Sequence, residues 1–118
     1  MRPDSSTPQQ PPALVSDPVL NELLSRLVAS FQPERVYLFG SKARGDAGPD
    51  SDYDLLVVVP DDAPPARRQS RLAYQALRGT GIAADVVVWT RSAFDARLHL
   101  HASLPATVVA EGKLLYAA

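Results

Sequence analysis

Phe39-Gly40-Ser41-Lys42-Ala43-Arg44-Gly45, followed after a polar connector by Ser51-Asp52-Tyr53-Asp54 running into Leu55-Leu56-Val57-Val58-Val59, is the stretch that decides the fold. The apolar Val36-Tyr37-Leu38-Phe39 before it predicts a short strand, central in a sheet covered on both faces and ended by Gly40. Asp52 and Asp54 at the head of the second apolar run point to one side, because strand side chains alternate. Two like charges so close are costly unless a cation neutralises them. The Gly40-Ser41 turn, leaving its strand, offers backbone amides to anionic oxygens. An anion cradle beside cation-binding carboxylates implies a nucleoside triphosphate site.

Working outward, Ser16-Asp17-Pro18 reads as a helix start, with Asp17 capping and Pro18 at the first helical position. Leu20, Leu23, Leu24, Leu27, Val28 and Phe31 follow helical spacing, and Pro33 stops that helix. Ser41 to Gly45 predicts one short helical turn, Asp46 to Asp50 an exposed loop, and Tyr53 to Val59 the second strand, stopped by Pro60. A helix is expected over about 66–78, closed by Gly79 and Gly81, then a third strand over Ile82 to Trp89. Thr90 caps a short helix to about Leu98. Ser103-Leu104-Pro105 begins another that ends at Glu111-Gly112, with Gly112 as its C-terminal glycine. Leu114-Leu115-Tyr116 adds a last short strand. Helices and strands alternate without internal repeat, so the expected class is mixed α/β, one mixed sheet of about four strands flanked by helices.

Asp85 interrupts the third strand, on the side of Ala83, Val87 and Trp89. An acid in an apolar strand is expensive unless paired or bound to metal. If this strand lies beside the second, Asp85 reaches the space in front of Asp52 and Asp54. Three carboxylates would supply hard oxygen ligands for Mg²⁺, and two such ions suit phosphoryl chemistry. An isolated Asp-X-Asp or Gly-Ser carries little weight. Their order along the chain carries the reading: strand, Gly-Ser, basic turn, Asp-X-Asp strand, helix, strand with Asp.

Composition sets the bounds. With 118 residues the chain is one domain, expected over 16–118 behind a mobile, Pro-rich tail at 1–15. The absence of cysteine removes disulfides, thiolate zinc sites and cysteine nucleophiles. No apolar run suits a transmembrane helix, and the polar start does not resemble a signal peptide, so a cytoplasmic protein is expected. Twelve basic against 13 acidic residues give a net charge of -1, which does not point to nucleic acid as a partner. The small Arg67, Arg68 and Arg71 cluster reads as a solvated helix face.

The run Gly40-Ser41-Lys42-Ala43-Arg44-Gly45 to Ser51-Asp52-Tyr53-Asp54-Leu55-Leu56-Val57 resembles the signature of the minimal nucleotidyltransferases, the MNT family of the polymerase β-like superfamily. The resemblance covers roughly residues 17–116, most specifically in this central motif. It implies two Mg²⁺ ions and ATP as substrate, with Gly40 and Ser41 on the triphosphate and Asp52, Asp54 and Asp85 holding the metals. Lys42 stands where an Arg is common, replacing a planar bidentate donor by a point charge. Arg44 is open between pairing with the triphosphate or the carboxylates and anchoring the loop.

The family also implies a partner, a helical HEPN toxin, and the role of its antitoxin through AMP transfer to a toxin tyrosine. A chain this short lacks room for a domain that binds an acceptor, so the acceptor is expected on another protein or between subunits. Two alternatives stand beside this: an antitoxin that neutralises by binding alone, and a small-molecule nucleotidyltransferase. Tyr53 and Tyr37 read as core, Trp89 as a core or interface aromatic, and His99 and His101 as surface residues.

Overall fold

The computed structural model describes residues 17–48 and 51–118. The expected tail at 1–15 and part of the expected 46–50 loop lie outside the described residues. Helix α1 spans Pro18–Phe31. Its N-terminus is built as the sequence implies: Oδ1 of Asp17 accepts from the amides of Val19 (2.9 Å) and Leu20 (3.2 Å), and Pro18 opens the first turn. At the other end Gln32 takes a left-handed conformation ahead of Pro33, and the helix stops.

Four strands form one sheet: β1 (Arg35–Phe39), β2 (Tyr53–Val59), β3 (Ala84–Thr90) and β4 (Lys113–Ala117), in the spatial order β3-β2-β1-β4. Strand β1 pairs antiparallel with β2 and β4, while β2 and β3 run parallel, so the sheet is mixed. The parallel pair needs a crossover, supplied by a 3₁₀ turn (Pro65–Arg68) and α3 (Ser70–Ala76). Helix α2 (Gly40–Arg44) joins β1 to the connector, and α4 (Arg91–Ala96) and α5 (Leu104–Glu111) lie between β3 and β4.

Alternation along β2 divides the core in two. Leu55, Val57 and Val59 face α1 and α3, joining Leu23, Leu24, Leu27, Phe31, Ala73 and Leu77. Leu56 and Val58 face the other way, joining Tyr37, Phe94 of α4 and Val108 of α5. Both sets are fully sealed from water, which is why Leu55 to Val59 reads as one unbroken apolar run. Truncating a leucine of α1 here should cost ~2–5 kcal/mol.

Three sequence expectations change in detail. The single helix over 66–78 is two pieces, because Gln69 is extended between the 3₁₀ turn and α3. The third strand begins at Ala84, two residues later than expected. There Gly79 and Gly81 adopt positive φ, and Oγ1 of Thr80 takes the Ile82 amide that a strand would have used. Gly112 does follow α5, but its backbone is extended and not left-handed. Its requirement is space: a Cβ there would come within 2.6 Å of the carbonyl oxygens of Leu38 and Val108.

Candidate active site

The acids meet because of strand register. Asp54, second residue of β2, lies directly beside Asp85 on β3 and opposite Phe39 on β1. Neighbouring residues in register share a face, so both acids lie on the side of Leu56, Val58 and Val87, the face covered by α4 and α5. Asp52 stands two residues before Asp54, at the head of the strand. Asp54 is half-buried, whereas Asp52 and Asp85 are exposed.

Electrostatics reflects this grouping. Burial pushes the Asp54 carboxyl above its ordinary value, and the charges of Asp85 and then Asp52 push it the same way. Arg44 opposes them. The Asp54 carboxyl therefore senses both of the other acids that the sequence singles out. They do not close into a cage: among the described residues, no three acids or imidazoles stand close enough to hold an ion unaided. An open set of carboxylate oxygens, only partly balanced by Arg44, fits Mg²⁺, which keeps waters and completes its shell with phosphate oxygens.

Gly40 carries a specific role in this geometry. It opens α2 with φ +75°, a conformation that other residues rarely adopt. A Cβ there would overlap Oδ2 of Asp54 and come within 3.1 Å of its carboxyl carbon. The sequence ties this glycine to phosphate; the structure adds that it makes room for a carboxylate. Ser41 follows, half-buried, and no side chain caps this end of α2.

The two cations of α2 diverge. Nε of Arg44 reaches Oδ2 of Asp46 at 3.2 Å while its charge acts on Asp54, so it serves both the loop and the acids. Nζ of Lys42 lies 4.5 Å from the ring centre of Tyr53. Tyr53 packs against the α1 core, as expected from alternation. Its hydroxyl also donates to Oδ2 of Asp17 at 2.7 Å, and burial with this bond pushes its pKa up to about 12. No local spacing could announce that contact, since the two residues are 36 positions apart.

Other candidates take ordinary places. Tyr37 is buried and stacks on Phe94, with ring centres 5.6 Å apart. Trp89 packs on the acid-bearing face with the Arg97 guanidinium 5.8 Å from its ring centre. His99 and His101 are exposed around the turn after α4. Arg67, Arg68 and Arg71 lie along the 3₁₀ turn and α3, with Arg67 bonded to Gln32 at 3.2 Å.

Comparison with known proteins agrees with this geometry. A family model described as a nucleotidyltransferase domain matches residues 20–112. Among solved structures, a protein from Sulfolobus solfataricus, provisionally assigned as a nucleotidyltransferase, is similar at 25% identity. That alignment covers 84% of this chain and 78% of that one, with a TM-score of 0.57. A toxin–antitoxin complex crystallised with AMP-PNP contains a chain 26% identical, over 83% of this chain and 74% of that one, with a TM-score of 0.55. A mutant of the MntA–HpeT toxin–antitoxin pair shares the fold at 22% identity and a TM-score of 0.55, covering 83% of this chain and 72% of that one. The curated proteins contain no significant match in sequence. Family match and mixed sheet agree, and the chain belongs to the nucleotidyltransferase domain family.

Proposed function

We propose that this protein is an Mg²⁺-dependent nucleotidyltransferase that moves AMP from ATP to a tyrosine hydroxyl of a partner HEPN toxin, acting as its antitoxin. The observation that carries the reading is the register that sets Asp54 beside Asp85, with Gly40 leaving room for the Asp54 carboxylate. The likeness to a toxin–antitoxin complex crystallised with an ATP analogue supports the choice of nucleotide and of partner class.

In this reading Asp52, Asp54 and Asp85 would hold the Mg²⁺ ions. Gly40 and Ser41 receive the phosphates, with Arg44 balancing charge beside them. Bound Mg²⁺ would draw negative charge from the transferring phosphate and the departing pyrophosphate. The acceptor oxygen attacks the α-phosphorus, the bond to the β-phosphate oxygen breaks, and pyrophosphate leaves with that electron pair. The hydroxyl proton passes to Asp85 and on to solvent. Strand β3 is a sheet edge, so Asp85 is exposed to an incoming protein while Asp54 is flanked by Gly40 and β1.

Incubation with α-³²P-ATP, Mg²⁺ and a candidate HEPN toxin tests this. The expected result is label on the partner, lost with Asp54→Asn. Label on a small molecule and none on the partner would favour the small-molecule alternative. No label anywhere, with the toxin still neutralised, would favour a protein that works by binding alone.

A further inference from the structure

Tyr53 sits between the two acids, yet alternation turns its ring to the opposite face of the sheet, against α1. A phenylalanine would fill that core equally well, so packing does not account for the hydroxyl. The hydroxyl donates to Oδ2 of Asp17 at 2.7 Å. The same carboxylate is already fixed, because its Oδ1 holds the Val19 and Leu20 amides at the start of α1. Tyr53 is also held through its backbone, its amide bonding the carbonyl of Ala83 at 3.2 Å on the approach to Asp85. Lys42 closes the remaining side with its ammonium over the ring. Its charge acts on Asp17, whereas Arg44 acts on Asp54, so the two cations of α2 divide between the faces of the sheet.

We propose that the Asp17–Tyr53 hydrogen bond is a latch that sets the position of Asp52 and Asp54, which makes Asp17 and Tyr53 positioning residues of the site. The inference rests on the nucleotidyltransferase reading of those acids. Neither carboxylate can shift along β2 without moving Tyr53, and Tyr53 is tied to the rigid first turn of α1. The latch lies outside the substrate's reach, so it acts only through the acids.

Two substitutions isolate it. Tyr53→Phe removes the hydroxyl and keeps the ring. Asp17→Ser keeps a good helix cap but has no second oxygen to reach Tyr53. The readout is Mn²⁺ affinity, from the electron paramagnetic resonance of the free ion, with the full chain and a non-hydrolysable ATP analogue. Each variant should bind Mn²⁺ about five- to tenfold more weakly, less than the full free energy of one hydrogen bond to a charged group, because only part of it is transmitted to the acids. The double variant should be no weaker than either single, because one interaction is lost. Asp17→Ser should lose no more thermal stability than Tyr53→Phe, because the helix cap is kept and only the bond to Tyr53 is lost, whereas a role for Asp17 as cap alone would leave Mn²⁺ affinity unchanged. Wild-type affinity in Tyr53→Phe, or losses that multiply in the double variant, would overturn the latch and leave the functional reading standing. If Asp54→Asn and the wild type bind Mn²⁺ equally, the acids do not hold the metal, and both fall.

Discussion

Gly40 and Asp54 share one space: the Asp54 carboxylate lies where a side chain at position 40 would begin. The backbone of Gly40 is also left-handed, so two constraints converge on this residue. Gly40→Ala should therefore cost ~1–3 kcal/mol through backbone strain, with an added cost from displacing the carboxylate. In an Asp54→Ala background the strain should remain, with only a lesser contact at the Cβ of residue 54, 3.3 Å away. Urea unfolding of the four proteins in this cycle separates the two, and additive losses would deny the contact.

Asp54 carries a charge that the fold disfavours. Its carboxyl is raised above 3.8 by burial and by Asp85 and Asp52, so the folded state holds the proton more tightly than the unfolded chain does. Its contribution to stability is thus most favourable below that value and declines as pH rises through the raised one. Asp54→Asn should melt higher than wild type at neutral pH without divalent metal, with the gap closing in acid. Added Mg²⁺ and ATP should stabilise only the wild type. Calorimetry across pH, with and without metal, checks both signs.

Asp17 has the opposite sign. The Tyr53 hydroxyl and the Leu20 and Val19 amides hold its carboxyl below 3.8, against a smaller opposing effect of burial. The stability it adds is present above 3.8 and is lost as pH falls through the lower folded value. Asp17→Ala should cost ~0.5–2 kcal/mol at neutral pH, the range for losing a helix cap. Denaturant titrations should show that difference shrinking as pH falls below the lowered folded value, where the carboxyl is protonated in both states.

Gly112→Ala should destabilise the protein although its φ suits any residue. A methyl group there would press on the carbonyls of Leu38 and Val108, a backbone contact that cannot give way easily. Overpacking of this kind costs ~1–3 kcal/mol. Gly45→Ala, which meets nothing within 4 Å, should show only the strain of its positive φ. Paired unfolding measurements would distinguish the two glycines.

The sheet and the pairing of Asp54 with Asp85 were legible because alternation is a local rule. Once β2 and β3 are neighbours, Asp54 and Asp85 share a face. The break at Gln69 was not legible, since Ala66 to Arg78 has no proline or glycine to mark it. Gly112 was assigned a C-terminal position correctly for a reason that differs from the real one: its close neighbours include Leu38 and Phe39 of β1, distant in sequence. The Asp17–Tyr53 contact lies beyond any local pattern, because both ends have sufficient local explanations, a cap and a core aromatic. Long-range polar contacts are invisible when each partner already looks satisfied.

The central claim is that Asp52, Asp54 and Asp85 form one transfer site acting on a partner protein. Mass spectrometry of a HEPN toxin, the proposed partner, co-expressed with wild type or Asp85→Asn, tests it most directly. Asp85→Asn keeps the shape of β3 and the surrounding surface, so the complex should still form. The account predicts a partner heavier by one or more AMP groups on tyrosine with the wild type, and an unmodified, still toxic partner with Asp85→Asn. An unmodified partner that both proteins neutralise equally would contradict it.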